Sequence, residues 1–104
     1  MRKLPFFILT LATGLVLDNL SFAADQGEIG FKAHCAACHA EGGNVIRPDK
    51  TLSRADREKH GITTIDAIVN LIRNPGPGME TFDREALSDR EARDIADYII
   101  RTFR

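Results

Sequence analysis

The pentapeptide Cys35-Ala36-Ala37-Cys38-His39 constrains this chain more than any other feature, because it holds both of the cysteines in 104 residues. The domain around it is small. With an N-terminal leader set aside, residues 24–104 remain, with no tryptophan, one tyrosine and the phenylalanines Phe31, Phe82 and Phe103. A core built from such side chains alone is thin. Chains this short are marginal unless a disulfide, a metal or another staple holds them. What the two thiols bind therefore decides what the rest can fold into.

The leader is read from its layout. Arg2 and Lys3 precede an apolar run from Phe6 to Leu17. Polar Asp18 and Asn19 follow, and Ser21 and Ala23 are small at the two positions that matter for cleavage. This pattern predicts a secretory signal peptide over residues 1–23, with a single domain over residues 24–104. The apolar run is shorter than the ~20 residues of a membrane span; an uncleaved anchor is the alternative. No cysteine lies near the exit to accept a lipid. The implied location is the periplasm, where paired cysteines are permitted. The formal net charge of −1 shows no footprint for nucleic acid or a membrane surface.

Cys35 and Cys38 are three apart, so on a helix their sulfurs leave nearly the same face. His39 completes C-x-x-C-H, the signature of c-type haem attachment. Two thiols on one face can add to the two vinyl groups on one side of a porphyrin, and the next imidazole is close enough to ligate the iron. The competing chemistries lack their other parts. A zinc site needs four ligands, and no second pair exists for His60 to complete. A thiol-exchange site expects a βαβ context, and a bare disulfide closing so short a loop stabilises little. His34 and His60 read as solvated surface residues.

A six-coordinate haem iron needs a second axial group. Of the two methionines, Met1 belongs to the leader, which leaves Met79 in Asn74-Pro75-Gly76-Pro77-Gly78-Met79. A lone methionine is commonly core filler. Here two prolines limit the unfolded chain and two glycines permit close backbone approach, a setting suited to holding a thioether at a fixed distance. His/Met ligation raises the reduction potential relative to two imidazoles.

The remaining pattern is helical. A first helix is predicted from about Gln26 into the CAACH segment, with Ile29, Ala33, Ala36 and Ala37 on helical spacing beside Phe31, ended by Gly42-Gly43-Asn44. A loop containing Pro48 follows. A short helix is predicted over residues 53–59, stopping at Gly61. A third begins near Thr64 with an Ile65, Ile68, Val69 and Ile72 stripe and stops before Pro75. Ser88 and Glu91 form a capping box ahead of Ala92, Ile95, Ala96, Ile99, Ile100 and Phe103, one buried face. No window alternates with period two. The fold class is all-α, about four short helices.

These parts together resemble a class I cytochrome c, specifically the cytochrome c6-like group of small monohaem carriers. The resemblance runs from Gly27 to Phe103 through GEIGF at 27–31, CAACH, GGNVIRPDKTL at 42–52, NPGPGM, LSDRE at 87–91 and ADYI at 96–99. It implies the cytochrome c fold, with four helices wrapped around one covalently bound haem c. It also implies that Gly27 and Phe31 pack against the last helix near Tyr98. The loop after the haem motif covers one side of the cofactor in similar proteins, which makes Asn44, Pro48, Lys50 and Thr51 pocket candidates. Lys50 would pair with a propionate there; an ordinary surface lysine is the equal alternative. Glu80 follows the methionine where photosynthetic members usually have proline. The NPGPGM loop is instead similar to c6-like cytochromes of metal-reducing bacteria.

The resulting expectation is a monomeric periplasmic one-electron carrier, not an enzyme. Cys35 and Cys38 are thioether anchors, and His39 and Met79 hold the iron between unidentified redox partner proteins. Two other classes stand beside it. One is a gas sensor or peroxidase-like enzyme in which Met79 leaves the iron; the other is an electron-relay subunit of a membrane complex.

Overall fold

The computed structural model describes the backbone of residues 14–104 and the side chains from Phe22 onward, Ala23 excepted. The basic start and most of the apolar run of the expected signal peptide lie outside the described residues. The elements are α1 (Gly14–His34), α2 (Ala36–His39), a 3-10 turn (Ala40–Gly42), α3 (Arg54–Lys59), α4 (Ile65–Arg73) and α5 (Asp89–Thr102). Among the described residues there is no strand. The all-α reading holds, with the first helix longer and more divided than expected.

Each of the last three helices starts on a side-chain cap. The Ser53 hydroxyl accepts from Asp56 N at 3.2 Å, and Thr64 Oγ1 accepts from Ala67 N at 3.1 Å. Ser88 Oγ accepts from Glu91 N at 3.1 Å, while Ser88 N donates to Glu91 Oε1 at 3.3 Å. These bonds satisfy donors that the first turn of a helix leaves free. At the far end of α4, Asn74 N donates to Asn70 O at 2.8 Å before Pro75 ends the ladder.

The core lies where α5 meets α1 on one side and α4 on the other. Ala92, Ile95, Ala96 and Ile99 of α5 are buried, as are Ile68 and Ile72 of α4. Phe31 of α1 sits 5.3 Å, centroid to centroid, from both Tyr98 and Phe103. The α1–α5 crossing is close because two glycines make it so. A Cβ on Gly27 would overlap the carbonyl oxygen of Asp94 and lie 2.9 Å from Tyr98 Cβ. A Cβ on Gly30 would lie 2.9 Å from the Ile95 side chain. The packing of Gly27 and Phe31 against α5 near Tyr98 is as the family resemblance implies.

Two features differ from the sequence expectation. Helix α1 is already formed at Gly14, the first described residue, rather than starting near Gln26; residues 15–25 contain neither proline nor glycine, so nothing in that stretch stops the helix. Its buried face is also not the one the apolar spacing suggests. Ile29 is 58% exposed, and Ala33 and Ala37 are exposed too. Smallness and not hydropathy selects the inward face at so close a crossing, so the Gly27, Gly30 and Phe31 side turns in.

Candidate cofactor site

The CAACH segment is not a plain continuation of α1. The helix breaks at Cys35, whose φ is −119°, and α2 supplies one further turn. Cys35 N still donates to Phe31 O at 2.8 Å and His39 N to Cys35 O at 2.9 Å, so the two thiols and the imidazole stay on consecutive turns. No disulfide joins the two cysteines; Cys35 is half-buried and Cys38 exposed. Burial pushes the Cys35 thiol up to about 11. That direction is the reverse of the lowered thiol that disulfide exchange requires.

The imidazole is oriented from behind. His39 Nδ1 lies 2.7 Å from Gly43 O. When Nδ1–H donates to that carbonyl, Nε2 keeps its lone pair for a metal. The carbonyl reaches back because the chain reverses sharply: Glu41 has φ 55° and Gly42 φ 78°, and Gly43 N donates to Ala40 O at 3.0 Å. Gly42 has no room for a side chain either, since a Cβ would come within 2.8 Å of Phe103 Cγ. The C-terminal residues of the core thus form the backing of the His39 turn.

The loop that follows is organised by its own polar groups. Asn44 Oδ1 accepts from Ile46 N at 3.1 Å and Arg47 N at 2.8 Å, and Asn44 Nδ2 donates to Lys50 O at 2.9 Å. Val45 N donates to Cys38 O at 3.0 Å, and Leu52 N to Gly42 O at 2.8 Å. Thr51 bonds to Asp56 through both its amide, at 3.0 Å, and its hydroxyl, and those bonds hold the Asp56 carboxyl below its usual range. Asn44 and Thr51 therefore shape the loop and fasten it to α3. Pro48 and Lys50 are exposed on it.

Met79 closes a second loop, residues 74–81. Gly78 has φ 95°, and Met79 N reaches Gly76 O at 3.4 Å. Pro77 and Gly78 thus occupy the central positions of a turn of the type II pattern, where proline presets the first residue and glycine accepts the positive φ of the second. The tip of this loop rests on the first: a Cβ at Gly78 would be 3.2 Å from Ile46 Cγ2. Val45, Ile46 and Met79 are 66%, 52% and 37% exposed. These apolar side chains lie on the two touching loops, so the surroundings and the donor set both suit an apolar, iron-bearing macrocycle. His34 is exposed, its ring edge-on to Phe82 at 5.9 Å. His60 meets α3 through its backbone N–H.

Sequence reasoning missed two arginines. Buried Arg57 donates from Nε to Leu52 O at 2.9 Å and from Nη2 to Phe103 O at 3.1 Å, tying α3 to both the loop and the C-terminus. Arg73 donates to Phe82 O, Leu87 O and Asp89. A faint signal existed for Arg73, which flanks the apolar stripe of α4 four residues after Val69. A groove between α4 and residues 81–85 is lined by Arg73, Asn70 and Phe82 among others, and by none of Cys35, Cys38, His39 or Met79. It borders the two ends of the loop that carries Met79.

A domain that is all-helical among the described residues and carries one C-x-x-C-H segment has the architecture of a small c-type cytochrome. Comparison with known proteins agrees. Residues 22–99 match the family model described as cytochrome C oxidase, cbb3-type, subunit III. Cytochrome c6 of Cyanidium caldarium is 45% identical over 93 residues, which cover 88% of this chain and 84% of that protein. Cytochrome c6 of Pyropia yezoensis is 40% identical over 91% of this chain and 82% of its own. The solved structure of OmcF, outer membrane cytochrome F from Geobacter sulfurreducens, superposes with a TM-score of 0.73 at 44% identity, covering 75% of this chain and 99% of that one. Cytochrome c6 from the diatom Phaeodactylum tricornutum gives 0.70 at 36% identity, covering 75% and 91%. The chain belongs to the cytochrome c6-like family of small class I cytochromes. Members carry one covalently bound haem c and are electron-transfer proteins, not enzymes.

Proposed function

We propose that this protein is a periplasmic one-electron carrier with thioether anchors at Cys35 and Cys38 and an iron held by His39 and Met79. The observation that carries this reading is the contact of the Met79 loop with Ile46, in the loop directly after His39. It brings Gly78, the residue before Met79, against the loop that follows the imidazole and the thiols. When bound, the haem supplies the Fe(III)/Fe(II) couple. The chain supplies the rest. Gly43 O fixes the His39 ring and raises its basicity as a ligand. The Pro77-Gly78 turn presents Met79, which together with His39 would hold the iron and would leave it no position for a substrate. In this reading Asn44, Pro48, Lys50 and Thr51 belong to the loop covering one side of the cofactor, with Lys50 a candidate partner for a propionate and an ordinary surface lysine the equal alternative.

The location follows from the leader. Residues 1–23 act as a signal peptide, and the exported domain is a monomer exchanging electrons with redox partner proteins. No helix among the described residues is long and apolar enough to cross a membrane. A second reading, an electron-relay subunit, is favoured by the description of the matched family model. Co-purification with a membrane complex under mild detergent would select it.

The deciding experiment is optical. Ferric holoprotein is expected to show the near-infrared methionine-to-iron band, and reduced protein to exclude carbon monoxide. Met79→Ala should abolish the band and admit the gas. Ready binding by the wild type would refute the carrier reading in favour of a sensor or peroxidase-like enzyme. A mature N-terminus other than Ala24 in exported protein would overturn the leader boundary.

A further inference from the structure

We propose that Arg73 is a positioning residue for Met79: its guanidinium clamps together the two ends of the loop that carries the thioether, and so sets how firmly that ligand is held. The inference rests on the assignment of Met79 as an iron ligand and adds the device that keeps it in place.

The loop begins immediately after Arg73 and ends immediately before Phe82. Inside it, Pro75 and Pro77 have no N–H to donate, and the bond from Met79 N to Gly76 O is long at 3.4 Å. Its shape therefore depends on its base. There, Phe82 N donates to Ile72 O at 3.2 Å, Asn74 Nδ2 reaches Asn70 O and Oδ1 at 3.4 and 3.3 Å, and one further side chain bridges the two limbs. Arg73 Nη1 donates to Phe82 O at 3.1 Å and to Leu87 O at 2.7 Å. Arg73 Nη2 donates to Asp89 Oδ1 at 2.9 Å, and Arg84 Nε reaches the same carboxylate at 3.2 Å. One planar group thus joins the last turn of α4, the returning limb of the loop and the first residue of α5.

Arginine suits this task and lysine does not, because serving two carbonyls and a carboxylate at once needs a rigid fork of donors. The Arg73 side chain is only 12% exposed, so water screens its bonds to Phe82 O and Leu87 O little; Asp89 is 61% exposed, and that pair is screened and worth less. A thioether is a weak ligand, and small changes in the freedom of its loop shift the balance between bound and released methionine.

The test uses holoprotein of Arg73→Gln and Arg73→Lys, with Arg57→Gln as a comparison that removes a buried arginine tying other segments together. In Arg73→Gln the near-infrared band should weaken, and the fraction of reduced protein that takes up carbon monoxide should rise by about tenfold or more, as the loss of charge-assisted bonds predicts. Arg73→Lys and Asp89→Asn should shift both readouts the same way by less. Arg57→Gln should unfold at lower temperature yet keep the band and exclude the gas. A full band with carbon monoxide excluded in Arg73→Gln overturns the positioning role alone. So does loss of the band in Arg57→Gln to the same degree as in the Arg73 variants, or, should Arg73→Gln not fold, wild-type behaviour of both Arg73→Lys and Asp89→Asn. Absence of the band from the wild type overturns the Met79 assignment and this proposal with it.

Discussion

Replacing Gly27 with alanine tests whether the α1–α5 crossing is set by contact or by helix preference, because the two effects have opposite signs. In a helix interior alanine is favoured over glycine by about 0.8–1 kcal/mol. If the crossing were slack, Gly27→Ala would stabilise the protein by that amount. The structure says otherwise. The new Cβ would overlap the Asp94 carbonyl oxygen and lie 2.9 Å from Tyr98 Cβ. Neither obstacle is the free end of a flexible side chain, so α1 has to move away from α5 as a unit. That movement strains the packing of Phe31 on Tyr98 and Phe103, both 5.3 Å away. Overpacking of this kind costs about 1–3 kcal/mol, and a clash with backbone belongs at the top of that range. The net loss is about 2 kcal/mol, which for a domain of this size lowers Tm by about 8–16 °C. Thermal unfolding of the holoprotein followed at the Soret and far-ultraviolet bands measures it. Gly76→Ala, where an added Cβ meets nothing within 4 Å, is the comparison and should change Tm little. A Tm for Gly27→Ala equal to or above the wild type would refute the close-contact argument.

Three further outcomes follow from the same structure. Ser88→Ala removes one half of the α5 capping box and should destabilise the holoprotein by about 1 kcal/mol in denaturant titration. Asp89, held below its usual carboxyl range first by its bonds from Arg73 and then by those from Arg84, contributes stability present above its unfolded value of 3.8 and lost as pH falls through the lower folded value. Stability measured down an acid series should therefore decline less steeply in Asp89→Asn than in the wild type, from a lower starting level. Protein exported with Cys35→Ser and Cys38→Ser together, and so without covalent haem, should be largely unfolded; a cooperative native-like thermal transition in that variant would contradict the view that the cofactor supplies the missing core.

The parts that were legible in the sequence are those written locally. C-x-x-C-H names its chemistry through the spacing of neighbouring residues. Ser88 and Glu91 announce the start of α5, and Pro77-Gly78 announces a turn just before Met79, because caps and turns depend on a few neighbouring backbone groups. The inward face of α1 was not legible. Apolar spacing pointed to Ile29, and only the partner helix, pressed against Gly27 and Gly30, makes smallness outrank hydropathy. The extension of α1 ahead of Gln26 was missed because the apolar spacing gives no sign of it and residues 15–25 contain no breaker. Arg57 and Arg73 look like ordinary surface charges until their acceptors, supplied by distant backbone carbonyls, are in place.

By itself the sequence determined an all-helical c-type domain, the haem-attachment residues Cys35, Cys38 and His39 as expectations, and Met79 as the one methionine left to face them. Each rests on residue type and short-range spacing, which tertiary context leaves unchanged. The tertiary structure alone decided that Gly43 O backs the His39 ring, that Gly78 rests on Ile46, and that Arg73 joins both ends of the methionine loop. Those contacts link segments far apart in the chain, and long-range contacts exist only once burial of the core has brought their backbones together.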